Sequence, residues 1–256
     1  MAETTKILLV IEYDGSRYHG FQWQDGLPSI QGELEKALGR LTGERRRVMS
    51  ASRTDAGVHA KGQVVSFRTG SALETANFVG GLNHYLPADV AVRAAYKTDD
   101  SFNVRREAVS REYSYHILNR RQRSPLKEGF AYQVAGELDI EAMNRAAKAL
   151  VGEHDFASFA GRNGVTVEST VRRVFRAEVS RDGELVVFNI EANSFLLHQV
   201  RNTVGTLIRV GLGKLTPDEF NTILEARELS LAGPAAPACG LCLERVNYPA
   251  PWENLS

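Results

Sequence analysis

The sequence predicts an α+β fold in two successive halves with mainly antiparallel sheets, and three observations predict it. Strand-length apolar runs alternate with helical stripes over residues 6–96, and the same kind of pattern begins again near Arg111. Asp182-Gly183 lies between two alternating runs, a strong hairpin signal that favours antiparallel pairing. No GxGxxG or GxxxxGKS/T follows any strand, so a doubly wound dinucleotide-binding or P-loop architecture has no support.

The elements follow in order. "KILLVIEY" (6–13) is an apolar run of strand length. Ser29 is an N-cap candidate, and Ile30, Leu34, Leu38 and Leu41 recur at helical spacing until Thr42-Gly43 stops the helix. "QVVSF" is a strand, 72–86 a helix ending at Pro87, and "DVAVRAAY" a strand. In the second half, "YSYHIL" puts Tyr113, Tyr115 and Ile117 on one face. Asp139 caps a helix carrying Ile140, Met143, Ala147 and Leu150, with Gly152 as the expected stop. "VRRVFRAEV" and "ELVVFNIEA" form the hairpin. Residues 195–210 read as a helix with Leu197, Val200, Val204 and Leu207 inward. Thr216-Pro217-Asp218-Glu219 is a capping box, and "GLCLERVNY" is a closing strand. The boundary is expected within 100–112, where acids and a run of arginines interrupt both periodicities. This gives an N-terminal half at 1–106 and a C-terminal half at 107–256.

Composition bounds the function. The 256 residues are 43% hydrophobic and 24% charged, an ordinary globular balance. The N-terminal apolar run Ile7–Ile11 is closed by Glu12 and Asp14, too short for a signal-peptide core or a membrane span, so a cytoplasmic location without membrane contact is the expectation. Cys239 and Cys242 form a lone CxxC with no second ligand pair, and the stretch reads as a strand; no metal is expected. Thirty-one basic residues balance 31 acidic ones, yet the bases cluster at Arg45-Arg46-Arg47, Arg105-Arg106, Arg120-Arg121 and Arg172-Arg173. Such clusters are solvated surface in most proteins, and a basic face in some.

Three places offer chemistry. In "SASRTDAGVHAKGQVVSF" (50–67), Asp55 sits two residues from Arg53 on a turn before a strand. That is either ordinary Asx-turn chemistry or a carboxylate held above a sheet. In "NSFLLHQVRNTVG", Arg201 borders an apolar stripe and either snorkels to water or stays covered beside a carboxylate; His198, one turn before it, is a less favoured base. Tyr113 and Tyr115, near Arg105, Arg106 and Arg111, are either core or a platform for stacking nucleobases.

Five blocks in order, "YDGSRYHGFQWQ" (13–24), "SRTDAGVHA" (52–60), "REYSY" (111–115), "FLLHQVRNTVG" (195–205) and "CGLCLERVNY" (239–248), resemble the tRNA pseudouridine synthase A family over nearly the full chain. Departures from the family's usual pattern fall at Phe21, at Gln199 after His198, and at "FNVRR" (102–106). The resemblance implies two RRM-like (ferredoxin-like) halves whose sheets join into one extended sheet, with a catalytic cleft between them. It implies conversion of uridine to pseudouridine at positions 38, 39 and 40 of the tRNA anticodon arm, without metal or other cofactor, by a homodimer. Residue by residue, it makes Asp55 the essential carboxylate, as nucleophile or as general base at the sugar, with Arg201 holding it ionised. Tyr113 then stacks on the target uracil, Leu241 presses on the base from another side, and Arg53 fills the vacated space or contacts phosphate. The other readings are a non-catalytic RNA-binding module and a hydrolase using Asp55 with His59 or His154.

Overall fold

The computed structural model describes residues 4–161, 169–229, 231–253 and 255. It is an α+β protein with ten strands and five α-helices among the described residues. The chain divides into two compact units: Met1–Arg111 with Cys242–Ser256, and Glu112–Leu241.

In the first unit the sheet order is β4-β1-β3-β10, from strands β1 (Thr5–Tyr13), β3 (His59–Thr69), β4 (Val90–Thr98) and β10 (Leu241–Asn247), with the short β2 (Met49–Ser50) on β3. β1 lies antiparallel between β3 and β4. Ile7 through Ile11 are all buried, so both faces of β1 are covered, which is why its sequence is a continuous apolar run rather than an alternation. Helices α1 (Ile30–Thr42) and α2 (Thr75–Tyr85) supply Leu34, Leu38, Phe78 and Leu82 to the core. Phe78 meets Phe67 of β3 edge-on, ring centroids 5.7 Å apart. The Ser29 hydroxyl accepts from the Gly32 N–H and Gly43 closes α1 at φ 73°, as the sequence predicts. β10 pairs parallel with β3 through Cys242–His59 and Leu243–Ala60. The close approach requires Gly62, whose added Cβ would lie 2.6 Å from the Glu244 carbonyl oxygen.

In the second unit the order is β5-β9-β8-β7, from β5 (Ser110–Asn119), β7 (Gly152–Asp155), β8 (Val171–Asp182) and β9 (Leu185–Ala192), with β6 (Tyr132–Val134) parallel to β5. β8 and β9 form the expected hairpin, turning at Gly183 with φ 57°. Helices α3 (Ile140–Lys148), α4 (Gln199–Gly211) and α5 (Pro217–Ala226) add Met143, Val204, Leu207 and Phe220 to Phe156, Phe159 and Phe188. Asp139 accepts from the Ala142 N–H, and the Thr216–Glu219 capping box is complete.

Two expectations are corrected. α3 stops at Lys148 with Ala149 as its cap, and Gly152, at φ 118°, opens β7 instead of ending the helix. α4 begins at Gln199, not at 195, because His198 adopts a left-handed φ of 59° that a helix cannot contain. Leu196 is therefore the buried residue of the entry turn, its N–H donating to the Gln199 side-chain oxygen, and Leu197 is only half-buried.

Candidate active site

In the first unit, Asp55 sits on the loop between β2 and β3. The Val58 N–H donates to the Asp55 carbonyl (3.2 Å), and Gly57 takes φ 78°, so the Asp-Ala-Gly stretch is a turn. Asp55 is half-buried and Arg53 is exposed.

The loop is fixed by β1, by β3 and by the segment after β1. The Thr54 and Tyr13 hydroxyls share a buried hydrogen bond of 2.8 Å. Gln63 of β3, fully buried, exchanges hydrogen bonds with the Ser52 backbone at both ends of its amide (2.8 and 3.2 Å). The Phe21 N–H donates to the Thr54 carbonyl and the Gly57 N–H to the Tyr18 carbonyl.

This apposition is possible only where side chains are missing. At Gly20 (φ 91°) an added Cβ would lie 2.7 Å from the Thr54 oxygen, and at Gly15 it would collide with the Val58 carbonyl. The segment after β1 is anchored in turn, because the Tyr18 hydroxyl and the Arg17 guanidinium both bind the Asp89 carboxylate (2.6 and 2.7 Å). Burial, followed by the negative charge of Asp89, pushes the Tyr18 hydroxyl well above its ordinary pKa, so it remains a donor. The Gly15 N–H donates to Nδ1 of buried His59 (3.2 Å). The Asp14 carboxylate lies 3.2 Å from the same nitrogen. His59 is thus engaged in holding the turn, and His154 stands on β7 of the other unit.

In the second unit, Arg201 lies in the first turn of α4, half-buried. It neither snorkels freely nor buries bare: its Nε donates to the Ala236 carbonyl (2.9 Å), while its own carbonyl accepts from the Ala236 N–H (2.9 Å). One turn on, Gly205 lets the 232–237 segment come close enough that any Cβ would collide with the Pro234 carbonyl. Thr206 reaches the Ala232 carbonyl (2.8 Å). Tyr113 is 6% exposed and meets Phe195 edge-on at 5.2 Å. Tyr115 is fully buried and its hydroxyl donates to the Pro237 carbonyl (2.7 Å). Leu241, buried, follows a 3-10 turn at Ala238–Gly240, where Gly240 passes over the Tyr115 ring and the His116 carbonyl so closely that a Cβ would lie 2.7 Å from either.

Burial pushes the Cys242 thiol up to about 12 and raises that of Cys239, so neither is a thiolate near neutrality. Asp55 and Arg53 therefore belong to one unit, and Tyr113, Arg201 and Leu241 to the other. Sequence reasoning did not single out Thr54, Gln63, Asp89, Phe195 or the Ala236 segment. Their roles rest on pairings between distant positions, for which a single sequence carries no periodic signal.

A family model described as tRNA pseudouridine synthase matches residues 9–105 and 146–249. A tRNA pseudouridine synthase A of Geotalea uraniireducens is 44% identical, over 95% of this chain and 99% of that one. Proteins of the same name from Roseiflexus sp. and Geobacter sulfurreducens are 47% and 43% identical, over 95% and 94% of this chain and 90% and 99% of theirs.

Proposed function

The chain belongs to the tRNA pseudouridine synthase family, and from that premise we propose that it isomerises uridine to pseudouridine in tRNA with Asp55 as the essential carboxylate. The reaction breaks the N1–C1′ bond, turns the uracil and joins C5 to C1′. N1 gains a proton and C5 loses one, so the change is redox-neutral. A carboxylate serves either by attacking C1′ and later leaving it, or by taking a proton at the sugar. The observation that carries the assignment is the frame around Asp55. Thr54 ties its turn to Tyr13 at the end of β1, Gln63 ties it to β3, and two obligatory glycines bring the segment after β1 against it, more constraint than a hairpin connection needs.

Arg201, fixed on Ala236, is proposed to keep the carboxylate ionised. Tyr113 is proposed to stack on the target uracil, Leu241 to press on it, and Arg53 to occupy the space that the flipped nucleotide leaves or to contact phosphate. The motif blocks support uridines of the anticodon arm as targets, and a homodimer working in the cytoplasm. Light scattering of the purified protein checks the dimer.

The test is tRNA transcribed with tritium at uracil C5, which pseudouridine formation releases to water. Wild type is expected to release it. Asp55→Asn is expected to lose at least about 10³-fold in rate, a scale set by other loss-of-nucleophile variants, while still binding tRNA. Wild-type-like release from the Asn variant removes Asp55 from the role. Absence of release from a folded wild type that binds tRNA favours the non-catalytic RNA-binding module.

A further inference from the structure

Within the first unit a cavity of about 450 Å³ is lined by the apolar Phe21, Val48 and Met49 and by Arg47, Arg53, Arg105 and Arg106. Its size falls in the range of ligand pockets, about 300–1,000 Å³. Four arginines and no carboxylate line it. Arg47 reaches Glu35 outside the lining (3.6 Å) and stacks over Trp23. Among the described residues no carboxylate pairs with the guanidinium of Arg53, Arg105 or Arg106. Arg105 is held below its ordinary pKa by partial burial and then by the like charge of Arg53.

The crowding is built in. Arg111, 6% exposed, donates to the Ala51 carbonyl (3.2 Å) and to the Arg105 and Ala108 carbonyls (2.8 and 3.1 Å). The Asn103 side chain accepts from the Arg105 and Arg106 N–H groups, and the Tyr248 hydroxyl donates to the Val104 carbonyl (2.6 Å). A turn locked by so many bonds holds two like charges side by side, and such an arrangement is satisfied by an anion.

We infer that this cavity takes a nucleotide of the tRNA strand other than the target uridine, its phosphates on Arg47, Arg105 and Arg106 and its sugar and base against Met49 and Val48. The inference rests on the tRNA reading above. Met49 is 52% exposed and Val48 and Phe21 are buried, which gives the cavity the apolar floor that a free phosphate ion would not need.

The test is filter binding of unmodified tRNA across a salt series, with tritium release measured alongside. Arg105→Gln/Arg106→Gln is expected to weaken binding at least tenfold at 0.15 M salt. It should also flatten the slope of log affinity against log salt by about 1.4, two single-strand phosphate contacts. Arg47→Gln, also in the lining, is expected to shift both binding quantities the same way by about half. Lys36→Gln/Arg40→Gln, on the exposed side of α1, removes as much charge outside the cavity and is expected to change affinity less than threefold. Unchanged affinity and slope in the Arg105/Arg106 pair overturn the inference. So does equal weakening by the α1 pair, or a loss of release with binding intact. Failure of the wild type to release tritium breaks the isomerase reading instead, and leaves the binding comparison to decide the cavity.

Discussion

Gly20 shows how one missing methyl group sets the geometry of the Asp55 loop. Its φ of 91° and the 2.7 Å that would separate an added Cβ from the Thr54 oxygen mean that alanine strains the backbone and pushes away the residue next to Asp55. Gly20→Ala is expected to cost about 1–3 kcal/mol of stability and to lower kcat more than tRNA affinity. Thermal unfolding and single-turnover rates check this, and a variant with wild-type melting and kcat counts against this role of Gly20. Glu44 makes a second prediction. Hydrogen bonds first from Arg46, then from Thr69 and the Gly70 N–H, hold its carboxyl down to about 2. Its folded pKa is depressed, so its contribution is present above the ordinary carboxylate value near 4.5 and is lost as pH falls from there toward 2. Glu44→Gln is expected to make stability less dependent on pH within that window, as read by denaturant midpoints at pH 5 and pH 3.

Among the elements, α4 shows what a helix with a glycine inside it can do. Gly205 is a poor helix former, costing roughly 1 kcal/mol against alanine, yet it lets Arg201, Gly205 and Thr206 grip the 232–237 segment. Gly205→Ala is therefore expected to lower the melting temperature despite the better propensity, and to lower kcat by displacing Ala236. A higher melting temperature with unchanged kcat runs against it. The elements whose ends are written in capping residues were legible: Ser29, Asp139 and Thr216 each cap the helix expected of them. The start of α4 was not, because Leu196-Leu197 extends the apolar pattern through a residue, His198, whose left-handed backbone leaves no mark in hydrophobic periodicity. Around the candidate site, the turn at Asp55 was legible from Asp-Ala-Gly. The bonds that restrain it were not, since Tyr13 and Thr54, or Arg111 and Ala51, meet across 41 and 60 residues of chain.

For the whole molecule, the balance of 31 basic and 31 acidic residues conceals a cavity with four arginines and no acid. On the tRNA reading proposed above, a neutral chain gives little long-range attraction, and the affinity is expected to rest on short-range phosphate contacts. The two units differ in how the chain builds them. The second is one continuous stretch, Glu112–Leu241, whereas the first also needs Cys242–Ser256, whose β10 lies along β3 and whose Tyr248 anchors the Arg105 turn. A chain stopped after Leu241 is expected to leave a protease-resistant core at 112–241 and a readily digested 1–111. Equal resistance of both halves tells against this dependence.

That return of the last strand has a consequence during synthesis. The residues of the Asp55 loop leave the ribosome early, but the sheet that supports them lacks its β10 neighbour until some 190 residues later, past Cys242. Domains made from contiguous sequence can fold as they emerge; here the contiguous unit is the later-made one, Glu112–Leu241. Until Cys242–Tyr248 emerge, a nascent chain therefore lacks both the β10 neighbour of β3 and the Tyr248 anchor of the Arg105 turn.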